Sequence, residues 1–219
     1  SRQDPAGAYA AVIPNWIDPH RVATVPRGES RELFGIRRPL SVAIIGQLTP
    51  LKGQKVFLRA VAQLVDAGLK ECDFLIVGEA EARDENYKRG LQNLAGDLGI
   101  AGQVRFTGYV PEIARYLTAF DLVVAPSENE AFSLALVEAM AAECAVIAAS
   151  VGGMAEIVDD DVTGLLVPPN DVDALAAAMS RLLEDETLRD RLGTTAGIGV
   201  RKRFNRQRRK RSIHRSPRR

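Results

Sequence analysis

Short apolar runs alternate with longer amphipathic ones along most of the chain. Ser41 to Ile45, Asp73 to Gly78, Asp121 to Ala125 and Ala145 to Ala149 have the length and apolar content of buried strands, Gln103 to Val110 reads as a strand and turn, and Thr163 to Pro169 as a short strand stopped by prolines. Between them, Val56 to Val65 carries an apolar stripe at helical spacing (Val56, Leu58, Ala60, Val61, Leu64, Val65), and so does Asp84 to Leu98 through Tyr87, Leu91, Leu94 and Leu98. Pro111 is expected to start a further helix, packed down by Ile113, Tyr116 and Leu117. Phe132 to Ala142 reads as a strong helix, and Asp171 as the cap of another running to about Leu183. Strands that are apolar on both faces and separated by helices predict an α/β fold: a doubly wound, mainly parallel, Rossmann-like sheet.

The densest chemistry lies between Pro126 and Gly153. The strand ending at Ala125 runs into the polar loop Pro126-Ser127-Glu128-Asn129-Glu130-Ala131, and a helix starts directly behind it. In an open α/β sheet such a corner lies beyond the carboxyl ends of the strands, where ligands sit. The expected helix start offers backbone N–H groups at Phe132, Ser133 and Leu134 and a positive dipole end, which suit a phosphate or diphosphate. Glu130 precedes the helix and Glu138 follows two turns later, so both can face one pocket. A second strand-loop-helix corner, Gly46-Gln47-Leu48-Thr49-Pro50-Leu51-Lys52-Gly53, adds a glycine that lets a ligand approach backbone and a lysine able to reach a phosphate.

Two glutamates with seven residues between them, preceded by Pro126-Ser127 and followed by Ala139-Met140-Ala141, Gly152-Gly153 and Glu156-Ile157-Val158, resemble the donor-binding signature of retaining glycosyltransferases of family 4. These are GT-B enzymes of the glycosyl transferases group 1, and the likeness spans roughly residues 12 to 195, in order. It implies the carboxyl-terminal, donor-binding half of a two-domain enzyme moving sugar from a nucleoside-diphosphate sugar, a UDP- or GDP-sugar, to an acceptor hydroxyl. By the same resemblance, Lys52 and the N–H groups of Phe132, Ser133 and Leu134 stabilise the leaving diphosphate, with Gly46 and Gln47 beside it. Glu130 holds sugar hydroxyls, Glu138 the ribose hydroxyls, and Tyr109 or Val110 contacts the base. No metal or cofactor is implied, and no His, Cys or Asp cluster in the sequence suggests one. Cell-envelope polysaccharide or glycolipid synthesis is the family's usual setting.

Several positions depart from the family pattern. Gln47 stands where an Arg is usual, Ala80 for the second Gly of a Gly-x-Gly, and Trp16 for Gly in the hinge Val12 to Asp18. Ala131 and Glu143 replace glycines, so strain is expected at Ala131 if that position needs positive φ, along with a costlier helix end at Glu143. Gln47, Ala131 and Glu143 lean toward a rival reading, a non-catalytic nucleotide- or nucleotide-sugar-binding regulatory module.

Composition changes this picture at the ends. The 219 residues divide into a lead-in and hinge (1–18), a donor-binding domain (19–200) and a basic tail (201–219) expected to be disordered. That tail holds eleven of the 29 basic residues and none of the 28 acidic ones, leaving an acidic body under a net charge of +1. Such a run can attract an anionic membrane surface, while nucleic acid lacks an aromatic platform here. Two unpaired cysteines, Cys72 and Cys144, fit a reducing cytoplasm. No run approaches a membrane span and no signal peptide opens the sequence; the start at Ser1 suggests a fragment or a processed chain. The acceptor domain expected before residue 12 is missing, so transfer by this chain alone is not expected.

Overall fold

The computed structural model describes residues 17–18, 21–81 and 84–203; the lead-in, the hinge as far as Trp16 and the basic run from 204 onward lie outside them. Six strands, β1 (Leu40–Ile45), β2 (Cys72–Val77), β3 (Val104–Gly108), β4 (Leu122–Ala125), β5 (Ala145–Ala149) and β6 (Leu165–Val167), form one parallel sheet in the order β3-β2-β1-β4-β5-β6. Alternate residues feed two apolar layers: Val42, Ile44, Phe74, Ile76, Leu122 and Ile147 one way, Ala43, Leu75, Val77, Val123 and Val146 the other. Burial on both faces is why β1, β2, β4 and β5 read as apolar runs, whereas edge strand β3 buries only Val104.

Helices α2 (Gln54–Asp66), α3 (Glu85–Asp97) and α6 (Val172–Glu184) cover the first layer. The Asp171 carboxylate caps α6 by accepting from the Ala174 N–H at 2.8 Å. The second layer is closed by α4 (Leu134–Ala141) and the four-residue α5 (Met154–Ile157). The helix expected at Pro111 is instead a 3-10 segment, Ile113–Ala119, entered through a left-handed Glu112. That φ of 51° breaks the chain direction at the residue directly after the proline.

Two further helices among the described residues carry few apolar side chains. α1 (Arg27–Leu33) buries only Ser30 and is tied across the amino edge of the sheet. There Asp121 accepts from Arg27 at 2.8 Å and from the Ser41 N–H at 2.8 Å. Helix α7 (Glu186–Arg203) gives Leu188 and Leu192 to the first layer and Ala196 and Val200 to the second. It packs on the turn that ends α4, where Glu143 takes φ 63°. The Glu143 N–H donates to Met140 at 3.0 Å and the Cys144 N–H to Ala139 at 3.0 Å, the paired bonds of a Schellman helix end. Gly193 and Gly197, one turn apart, allow the approach: a Cβ on Gly193 would lie 2.2 Å from the Glu143 carbonyl oxygen. One further turn along, Arg201 pairs with the Glu143 carboxylate, so helical structure enters the basic segment as far as Arg203.

Candidate functional site

Strand order reverses between β1 and β4, and the loops leaving these two strands part over a crevice. They are the two loops singled out from the sequence, Gly46 to Gly53 and Pro126 to Ser133, and they are joined at their base. The Glu128 N–H donates to the Leu51 carbonyl at 2.9 Å, and Gly53, with φ 74°, sits so close that a Cβ would lie 2.1 Å from the Pro126 carbonyl oxygen. On the far side the Gly153 N–H donates to the Glu130 carbonyl at 3.1 Å. Among the described non-glycine residues, positive φ occurs at Ala23, Glu112, Glu143, Asp161 and Asn170. Ala131 is outside that set, so the strain expected there does not arise.

Helix α4 begins later than the sequence indicates. Ser133 is its cap, in extended conformation, and its Oγ accepts from the Leu136 N–H at 3.3 Å. The first helical N–H groups are therefore those of Leu134 and Ala135, not Phe132 and Ser133, and neither has an acceptor within the helix. Leu134, Ala135 and Glu138 share one face and line a cleft of about 570 Å³. Of the residues named from the sequence, Gly46, Gln47, Tyr109, Val110, Leu134 and Glu138 line this cleft, whereas Lys52, Glu130, Phe132 and Ser133 do not.

Lys52 and Glu130 instead form an ion pair with each other at the edge of the cleft, across 78 residues of sequence. The Lys52 stem runs past Gly46, within 3.8 Å of where a Cβ there would be. The Gln47 amide donates to Glu81 at 2.8 Å, so the residue in the usual arginine position is engaged by a neighbour. Glu79, Ala80, Glu81, Ile113 and Ala135 join the wall without having been anticipated. Glu79 accepts from Lys88 at 2.6 Å, and that bond holds its carboxyl below the ordinary range. The positions of Glu79 and Glu81, directly after β2, are the sequence signal that could have placed them here.

Glu138 is different. Burial pushes its carboxyl upward, and among the described residues its side chain has no cation or hydrogen-bond donor to offset the desolvation. Ile45, Val77, Val110 and Ile113 supply an apolar wall beside it. Together these groups can take an anion on Lys52 and the α4 N–H groups, hydroxyls on the carboxylates and a flat ring on the apolar wall. Cys72 and Cys144 are both buried away from this work, their thiols pushed up to about 12 chiefly by desolvation. Among the described residues no group of three or more His, Cys, Asp and Glu is arranged to hold a metal ion, and no helix is long and apolar enough to cross a membrane.

Fold and crevice together define a doubly wound α/β domain of the GT-B, Rossmann-like kind. Residues 29–197 match the model of the family Glycosyl transferases group 1, and the chain belongs to that family. A D-inositol 3-phosphate glycosyltransferase of Thermomonospora curvata is 36% identical over 178 residues, 77% of this chain and 40% of that protein. The crystal structure of Anabaena Alr3699/HepE in complex with UDP and glucose superposes with a TM-score of 0.83 at 27% identity, over 92% of this chain and 56% of that one. The C-terminal domain of a glycosyl transferase group 1 family protein (LpcC) from Francisella tularensis superposes at 0.80 with 28% identity, over 87% of this chain and 100% of that domain. The chain thus spans about two-fifths of the curated relatives it matches.

Proposed function

We propose that this chain is the carboxyl-terminal, donor-binding half of a retaining, metal-independent glycosyltransferase of family 4. The whole enzyme would move a sugar from a nucleoside-diphosphate sugar to an acceptor hydroxyl. The observation that carries the reading is the half-buried, unpartnered Glu138 carboxylate, set on the same helix face as the open N–H groups of Leu134 and Ala135. A carboxylate desolvated without a partner is poised for one, and vicinal ribose hydroxyls one turn from a bound diphosphate are a chemically matched pair of donors.

On this reading, Lys52 and the α4 N–H groups stabilise charge as it builds on the departing diphosphate. Glu130 accepts from sugar hydroxyls, and the backbone at Tyr109 and Val110 borders the base. UDP and glucose in the Anabaena neighbour support a nucleotide-sugar ligand, and full coverage of the Francisella C-terminal domain supports the assignment to that half. The acceptor domain would supply the opposite wall, exclude water and align the acceptor, so the purified chain binds donor without transferring sugar. A cytoplasmic location, with residues 201–219 touching an anionic inner membrane face, completes the proposal; retention on anionic vesicles at low salt tests that contact.

Calorimetric titration of UDP, GDP and ADP, with their common sugar conjugates, into the chain and into Glu138→Ala tests the site. The expected result is selective binding of one nucleotide, weakened about tenfold or more in the variant. No binding by any of them, from a chain that melts cooperatively, overturns the reading. The rival, a non-catalytic nucleotide-binding module, is favoured by the neutral Gln47 held on Glu81. Gln47→Arg discriminates: a large gain in donor affinity indicates a decayed site, and no change indicates a working site to which Gln47 is native.

A further inference from the structure

Lys52 is the only basic residue in the two loops that flank the crevice, Gly46 to Gly53 and Pro126 to Ser133. It is already neutralised by Glu130, in a pair whose side chains are 32% and 12% exposed. The partner is anchored through its backbone. The Glu130 carbonyl accepts from the Gly153 N–H, and Gly152 is packed so tightly on the same carbonyl that a Cβ would lie 2.3 Å from its oxygen. The carboxylate is thereby held within reach of Lys52 from a fixed backbone position.

On the donor-site reading given above, we infer that Glu130 lets the site tell a loaded donor from a spent one. A bare nucleoside diphosphate must take Lys52 from Glu130 and leave a carboxylate of low exposure beside its own negative charge. A nucleotide sugar brings hydroxyl donors, and these give Glu130 a replacement partner as Lys52 turns to the diphosphate. Once the sugar has left, Glu130 loses those donors, competes again for Lys52 and favours release of the nucleoside diphosphate. The same residue thus holds the sugar and raises the selectivity of the site for sugar-bearing nucleotides.

The test is calorimetric, with UDP, GDP and ADP and with UDP-glucose, GDP-mannose and ADP-glucose as probes. For the nucleotide that binds the wild type, Glu130→Gln tightens the bare diphosphate about three- to tenfold, as expected for removing a partly exposed counter-charge, and narrows the preference for the sugar conjugate. Glu130→Ala shifts bare-nucleotide affinity in the same direction, and thermal melts of both variants confirm folding. In a Lys52→Gln background the Glu130→Gln gain disappears. Unchanged or weaker binding of the bare diphosphate by the Glu130 variants overturns the inference, as does a gain that survives without Lys52. Absence of any nucleotide binding to the wild type removes the donor-site reading itself, so the two failures are distinguishable.

Discussion

Replacing Gly53 by Ala tests whether the crevice is held open by the backbone contact between its two loops. Gly53 adopts φ 74°, ψ 20°, a conformation that costs an L-residue about 1–2 kcal/mol. The added methyl would stand 2.1 Å from the Pro126 carbonyl oxygen and 2.8 Å from its carbon, both backbone atoms, in a buried position. Relief requires the loops to part by roughly 1 Å, overpacking that costs about 1–3 kcal/mol. That movement also stretches the 2.9 Å bond from the Glu128 N–H to the Leu51 carbonyl, worth about 1 kcal/mol. The sum is about 3–6 kcal/mol, set against a typical domain stability of about 5–15 kcal/mol.

Gly68 is the internal control. It has φ 99° but nothing within 4 Å of its added Cβ, so Gly68→Ala carries the dihedral cost alone, about 1–2 kcal/mol. Urea unfolding followed by circular dichroism measures both variants on the same scale. We expect Gly53→Ala to lose at least about 2 kcal/mol more than Gly68→Ala, with a correspondingly larger fall in nucleotide affinity. Equal losses in the two variants would refute the reasoning, since the inter-loop contact would then carry no energetic weight.

Two further outcomes are expected. Gly90 and Gly96 lie on the exposed side of α3 with nothing within 4 Å of an added Cβ, so each Gly→Ala change should raise stability by about 0.5–1 kcal/mol in urea melts, whereas Gly193→Ala in α7, driven against the Glu143 carbonyl, should lower it. Glu138 has its carboxyl raised above 4.5 by desolvation, so the folded chain binds that proton more tightly than the unfolded one, and this group's contribution to stability declines as pH rises from about 4.5 through the raised value. Glu138→Gln should remove that pH dependence and raise the melting temperature at pH 7 while weakening nucleotide binding; a variant that melts lower at pH 7 would contradict the claim that the carboxylate is unpaired.

How much could be read beforehand differs from element to element. Strands β1, β2, β4 and β5 fall within a residue or so of their expected bounds, because a strand buried on both faces must be apolar at every position. The start of α6 was legible because its cap is a local bond between Asp171 and Ala174. Helix α1 gave no such signal: its anchor is the ion pair from Arg27 to Asp121, 94 residues away. Helix α7 has a local cap, Asp185 accepting from the Leu188 N–H at 2.8 Å, but Gly193, Gly197 and Gly199 weaken its helix propensity and the compensation lies in a turn some fifty residues upstream. Glu143 accepts a glycine's conformation because the Schellman bonds and Arg201 hold it there.

The site divides along the same line. Sequence alone determined that this chain folds as a doubly wound α/β domain and that two loops, with Lys52, Glu130 and Glu138, meet at its carboxyl edge. The first is a consequence of local periodicity; the second is what the resemblance of the Pro126 to Val158 motif to a family signature implies. Tertiary structure alone decided that Lys52 and Glu130 neutralise each other, that Glu138 stands unpartnered in the cleft, and that Gln47 is held by Glu81. Each of those facts is a distance or a desolvation between residues remote in the chain, and the parallel sheet fixes such quantities only once its strands are in register.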